Sequence, residues 1–467
     1  MKINHIIVSV LCFLTLSSGI CAQDRRTTST RVADLLAQLP AGDNTYSDKL
    51  MADLLKLGEE GLRMACDQII PAGTGDDTRA RFAVESLSRF LSQKGMEAER
   101  ASWEKICISY LSGQKKNDVK DFFMKQLQLV GSDASVEAVK TLLADRELCA
   151  PALGVIESVG GRLAEKTLAG SLSNRDLPCA ASVMNILAAM ESGLAVNEYI
   201  EWASNADAEI RSSSFNALAR SGSPLALPVL SKAAKDVLYR WEPTGATAAL
   251  LNYAAKAGAN GDLKTMDKIC RLVIAKSTDK LSVQNKTGAL TTYVGFHGID
   301  AMNELKKAAA SPEKSYRNAA FRASLAIHGN EIVREWLNYF PKSIAAAKPE
   351  IIAMLGERGD EAALPLVTSS LSSADKAVRT EAATALAKLS GNKSVPSLIG
   401  YLKNNPDPED QDAAITALVS VSGDTETEML VPTLKEGPAY AKKSAIELLA
   451  RNRGKDYFPL VWPYTSS

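Results

Sequence analysis

The chain has 467 residues, with 54 Lys and Arg against 54 Asp and Glu and only three histidines. So neutral a balance argues against a nucleic-acid partner, which needs an excess of basic side chains to displace phosphate counterions. No Gly-x-Ser-x-Gly, His-Glu-x-x-His or Cys-x-x-Cys pattern is present, so no catalytic, cofactor or metal residues are assigned.

Taken in chain order, residues 1–22 read as a signal peptide. Lys2 is followed by an apolar run from Ile6 to Leu16, then by small residues and a cleavage site after Ala22. The run is too short for an ordinary membrane span, and the bulky Ile20 argues against lipid attachment at Cys21. Export to the periplasm or cell envelope is the expectation. Residues 23–47 are predicted to be a polar linker, with one short apolar run from Val32 to Leu39 that could be a loosely docked helix. Residues 48–130 are expected to be N-terminal helical repeats or a cap, and 131–453 a repeat array. Residues 454–467, with Tyr457, Phe458, Trp462 and Tyr464, are expected to be an aromatic cap or tail.

The array is announced by glycine. Gly95, Gly131, Gly161, Gly193, Gly222, Gly261, Gly298, Gly329, Gly359, Gly391, Gly423 and Gly454 recur at gaps of 29 to 39 residues, each after one apolar helical stretch and before another. A period of that size means stacked supersecondary units rather than one globular core. The clearest copy runs from Asp375 to Leu402. Asp375 is a helix N-cap, an Ala-rich amphipathic helix follows, and Gly391 can take the left-handed conformation that ends it. Val395, Leu398, Ile399 and Leu402 then mark one face of a second helix. Pro365 and Pro396 fall early in their helices, where a missing amide is tolerated. No sustained period-two alternation marks a strand.

These features resemble HEAT repeats. The best matches are Asp207 with Ile210-Arg211, Asp375 with Val378-Arg379, and the turns Gly359-Asp360, Gly391-Asn392 and Gly423-Asp424. Ser315-Tyr316-Arg317 departs by placing Tyr before the Arg. The resemblance covers roughly residues 80–455 and implies an all-α fold, an α-α superhelix of roughly ten to twelve helix pairs with a concave surface for a protein partner. Pro71 to Thr78 also resembles part of the helical region that precedes the β-domain of keto-disaccharide hydrolases, although no β-domain follows here.

Five cysteines lie beyond the leader: Cys66, Cys107, Cys149, Cys179 and Cys270. Their apolar surroundings predict buried thiols, with a disulfide between neighbouring repeats as the alternative. Gly73 to Thr78 reads as a turn capping a helix, not as a dinucleotide loop, since its third glycine is missing. The acidic loop Asn404 to Asp412 lacks the central glycine and terminal glutamate of a calcium loop and is assigned to an inter-repeat turn with acids at a helix start. His297 and His328 occupy equivalent repeat corners and are read as helix C-terminal residues. Arg211 and Arg379 are expected to contact neighbouring carboxylates or helix ends.

Tyr239, Arg240 and Trp241 are the candidate partner-binding residues. They belong to the residue types that dominate interface hot spots, and they lie where the repeat is lengthened. The expected function is a non-catalytic exported scaffold that binds protein. The alternative is a carbohydrate-binding module that assists a separate hydrolase, with glycan as partner.

Overall fold

The computed structural model describes residues 26–113, 115–423, 428–453 and 458–462. The expected signal peptide (residues 1–22), Asp424, Gly454, Tyr457 and Tyr464 lie outside the described residues. The described residues contain helices and turns and no strand, and the chain divides into two compact units, Met1–Met190 and Glu191–Ser467.

In the first unit the helices are α1 Thr28–Leu36, α2 Asn44–Leu55, α3 Gly58–Cys66, α4 Thr78–Leu91, α5 Glu97–Ser109, α6 Asn117–Val130, α7 Asp133–Val139, α8 Cys149–Val159, α9 Gly161–Ser171 and α10 Ala180–Ala189. Helix α1 falls inside the segment expected to be a polar linker. Thr27 caps it by accepting from the Thr30 amide, and Val32 and Leu36 are buried. Two apolar side chains one turn apart are enough to seat a short helix on its neighbours. A buried carboxylate organises the middle of this unit. Glu104 of α5 accepts from the amides and hydroxyls of both Ser132 and Ser135, satisfying orphan donors at the start of α7.

Cys149 and Cys179 form a disulfide, so for this pair the expectation of buried free thiols is corrected. A helix followed by a return helix brings positions about one repeat apart side by side, which composition alone does not reveal. Cys66, Cys107 and Cys270 are free and buried. Burial pushes all three thiols up, Cys270 to about 12, which keeps them protonated and inert.

In the second unit the helices are α11 Val196–Trp202, α12 Ala208–Ser221, α13 Ala226–Asp236, α14 Ala246–Ala259, α15 Leu263–Lys276, α16 Val283–His297, α17 Met302–Ala309, α18 Lys314–Leu325, α19 Glu331–Tyr339, α20 Ala347–Arg358, α21 Leu364–Ser370, α22 Lys376–Ser390, α23 Val395–Asn404, α24 Pro408–Val421, α25 Val431–Glu436, α26 Ala439–Arg453 and α27 Phe458–Val461. Helix pairs stack in series as an α-α superhelix. The first helices of successive pairs lie side by side: α20 packs on α22 and α22 on α24. Small residues permit the approach. A Cβ added at Gly356 would sit 2.7 Å from the Ala385 Cα, so only glycine fits there.

One device recurs in both units. The buried Trp103 donates its indole N–H to Ser88 Oγ at 2.9 Å, and the buried Trp336 donates to Ser324 Oγ at 3.1 Å. Each serine in turn donates to the carbonyl four residues earlier, so each indole is buried with its polar atom satisfied.

The glycine beat closes helices for a conformational reason. Gly222 and Gly359 have φ of 63° and 73°, where an L side chain is strained. Gly131 departs, with φ of −70° in extended backbone, and near Gly193 it is Glu191 that has a positive φ. At the end of the chain Val461 is buried, whereas Phe458 and Trp462 stay exposed with ring centroids 5.2 Å apart.

Candidate functional site

Helix α13 ends in an unusual way. Leu238 and Tyr239 both have positive φ, 56° and 57°, the left-handed region that favours glycine. The Tyr239 amide donates to the Ala234 carbonyl and the Leu238 amide to that of Lys235, each at 2.9 Å, closing the helix end as a glycine would. Left-handed backbone at two consecutive non-glycine residues costs on the order of 1 kcal/mol each and persists only where the surroundings fix it.

The surroundings are the loop from Ser277 to Ser282. Trp241 donates its amide to the Leu281 carbonyl at 2.9 Å, Asn285 Nδ2 donates to the Tyr239 carbonyl at 2.9 Å, and Arg240 Nε pairs with Asp279 Oδ2 at 2.7 Å. Asp279 also accepts from the amides of Leu281 and Ser282, so one carboxylate shapes its own loop and anchors the other. The Arg240 guanidinium beside it holds this carboxyl below the usual range. On the far side, Glu242 accepts from the amides of Thr244 and Ala246 at 2.7 and 2.8 Å and so caps α14.

The structure therefore places the three candidate residues in different roles. Tyr239 is buried, 8% exposed, and its carbonyl is tied down. Arg240 is engaged with Asp279. Trp241 is 61% exposed. Two residues that sequence reasoning missed share its surroundings: Leu238 is 58% exposed and Leu281 62% exposed. A leucine in a left-handed helix terminus leaves no sequence signature, and Leu281 is brought to Trp241 only by the hydrogen bond between their loops.

A cavity of about 420 Å³ opens behind this platform. Ile200, Phe215, Val229 and Val237 give it apolar walls, and Arg211, Lys232, Asp236 and Glu242 contribute its charged groups. Arg211 Nη1 donates to the carbonyls of Asn205 and Ala206, both at 2.8 Å, tying the start of α12 to the turn before it.

The remaining motifs are absorbed by local structure. In the Gly73 turn, Asp76 accepts from the Thr78 amide and Asp77 from Ile70 N–H and Arg81. In the acidic stretch, Asp407 caps α24 through the Glu409 amide, and Asp410, 1% exposed, accepts from Arg379 Nη2 at 2.7 Å and from the Tyr401 hydroxyl at 2.5 Å. His297 ends α16 with Nε2 2.6 Å from Asp267 Oδ1, and His328 lines a surface cavity near it. Among the described residues no group of three or more His, Cys, Asp or Glu is arranged to hold a metal ion. No described helix is long and apolar enough to cross a membrane.

No curated protein matches the sequence. Among solved structures, that of Kap121p is similar at a TM-score of 0.47 and 12% identity, over 93% of this chain and 55% of the other. The Kap95:Nup1 complex is similar at 0.47 and 11%, over 93% and 67%, and human deoxyhypusine hydroxylase in complex with glycerol at 0.23 and 17%, over 61% and 95%. This chain thus spans about half the length of Kap121p, and likeness at this level carries no functional implication. The family model for HEAT repeats matches residues 344–419, the segment from α20 through α24 in which Asp375 and Asp407 are N-caps and Arg379 pairs with Asp410 of the next first helix. Over residues 344–419, then, this chain is similar to HEAT repeats.

Proposed function

We propose that the chain is a non-catalytic exported scaffold that binds a protein partner through its superhelical surface, anchored at Trp241, Leu238 and Leu281. The observation that carries this reading is three large apolar side chains held in solvent by two loops locked to each other. A side chain fixed in place before binding loses little freedom on binding, and exposed aromatic and leucine side chains on such a platform supply hot-spot area. Export is supported by the leader-like residues 1–22 and by the Cys149–Cys179 disulfide, a bond that persists in oxidising compartments.

The test is affinity capture from the native cell-envelope extract with the mature chain, beside Trp241→Ala and a Trp462→Ala control. Partners held by the wild type and the control but lost by Trp241→Ala support the platform. Equal capture by all three removes it. Glycan-dependent quenching of tryptophan fluorescence, also lost in Trp241→Ala, would instead move the carbohydrate-binding alternative to the front.

A further inference from the structure

The arginines of the second unit form a series with one member incomplete. Arg317 and Arg379 each sit fourth in their helix, α18 and α22. In each, Nη1 donates to the two carbonyls six and five residues earlier: Ser311 and Pro312 for Arg317, Ser373 and Ala374 for Arg379. The rest of each guanidinium reaches a carboxylate on the first helix of the next pair. Arg317 Nε and Nη2 grip Glu350 of α20 at 2.7 and 2.8 Å, and Arg379 Nη2 meets Asp410 of α24 at 2.7 Å.

Arg211 holds the same fourth position in α12 and makes the same two carbonyl bonds. Its carboxylate is missing. The next first helix, α14, has Ala248 and Ala249 at its third and fourth positions, where α24 has Asp410 and α20 has Glu350. Glu242 follows Arg211 by the same interval that separates Asp410 from Arg379. It lies ahead of the helix instead of on it, and its two oxygens are taken by the amides of Thr244 and Ala246. Lys232 and Asp236 pair with each other at 2.7 Å. Among the charged groups of the cavity, Arg211 and Glu242 have no ionic partner, but both oxygens of Glu242 are taken by amides, whereas Nε and Nη2 of Arg211 are the donors it has left.

We propose that this cavity binds a carboxylate carried on an apolar body, with Arg211 gripping the carboxylate as Arg317 grips Glu350. The fork of Nε and Nη2 suits the two oxygens of a carboxylate, and the walls of Ile200, Phe215, Val229 and Val237 suit an aliphatic or aromatic group. About 420 Å³ lies within the range of small-molecule pockets. The carboxylate could arrive on a free organic acid or at the C-terminus of a polypeptide, and the probes separate these sources. The site is independent of the apolar platform, since Trp241 does not line the cavity.

The experiment is isothermal titration of the mature chain with 4-phenylbutyrate, with its neutral amide, and with a tetrapeptide ending in phenylalanine as free acid and as amide. Saturable binding of either acid, about tenfold or more weaker for its amide, is the expected result. The acid that binds identifies the source. Arg211→Gln should weaken that binding by about tenfold or more while Trp241→Ala leaves it unchanged. Arg211→Gln gives up the two Nη1 bonds to the turn carbonyls, and its unfolding midpoint shows whether it is folded. Ala249→Glu, which supplies the absent carboxylate from α14, should compete with the ligand and abolish binding. Equal affinity for acid and amide, unchanged affinity in folded Arg211→Gln, or no saturable binding of either acid would each overturn the proposal.

Discussion

Residues 314–421 and residues 208–283 of the second unit are assembled from the same parts, and they part company over what answers the arginine. In the first stretch each repeat closes on the next: Arg317 with Glu350, Arg379 with Asp410, and Lys388 with Glu357. Its polar groups are largely spent on neighbouring repeats. In the second stretch the corresponding helix is alanine-rich, the acid has moved into a loop, a cavity stands where an ion pair would be, and the preceding helix ends on two left-handed non-glycine residues. A repeat array is held by nearest-neighbour interfaces, so relaxing one interface leaves the others standing and frees side chains for a ligand. That difference is why the proposed binding features are placed on the long repeats and not on the regular stretch.

The largest expected effect comes from breaking the regular stretch. Asp410→Ala leaves Arg379, with its Nε already buried without a partner, facing an empty position, and it also strips the Tyr401 hydroxyl of its acceptor. Removing one member of a buried pair costs about 3–5 kcal/mol, whereas Arg211→Gln, which gives up two bonds to backbone carbonyls at a half-buried turn, should cost about 1 kcal/mol. Denaturant unfolding of the two variants measures the gap. Equal losses would mean that the two arginines are energetically alike and would undo the comparison.

A smaller effect, of opposite sign, is expected at the long repeats. Leu238→Gly relieves a left-handed residue and removes a side chain that is mostly in solvent, so it should stabilise by up to about 1 kcal/mol. The same change should weaken partner capture, because Leu238 belongs to the proposed platform. A protein made more stable and less able to bind would be hard to reconcile with a purely structural role for this turn; a destabilised variant would show that Leu238 packs in a way its exposure hides.

The smallest effect is a pH dependence. Partial burial works to raise the Glu242 carboxyl, but the amides of Ala246 and Thr244 outweigh it, and the group lies below its ordinary value of 4.5. A carboxyl held low when folded contributes stability that is fully present above 4.5 and lost as pH falls through the folded value. Melting of the wild type should therefore fall more steeply below pH 4.5 than that of Glu242→Gln, by less than about 1 kcal/mol, the worth of a helix cap. Parallel curves would show that Glu242 does not hold the start of α14 as a carboxylate.

Much of the fold was legible beforehand because a repeat writes the same physical problem many times. The helix class, the aspartate caps at 207 and 375, the early prolines at 365 and 396 and the assignment of Arg379 to a neighbouring carboxylate all follow from local chemistry that does not depend on distant residues. The lengthened repeat around Tyr239 to Trp241 was visible for the same reason, as a break in the beat. Its content was not. Tyr, Arg and Trp look equivalent as hot-spot types, yet burial fixes Tyr239 in the interior, an ion pair occupies Arg240, and only Trp241 projects.

The sequence by itself determined that this protein is a stack of helix pairs, since period, capping and apolar spacing are properties of one segment at a time. It also determined where the stack is irregular. Only the tertiary structure decided that Cys149 meets Cys179, that Leu281 lies beside Trp241, and that Arg211 faces a cavity instead of a carboxylate. Each of these depends on which residues of one loop or helix face another some thirty to forty positions away, and a shift of a few residues in a connecting loop is enough to turn an ion pair into an opening.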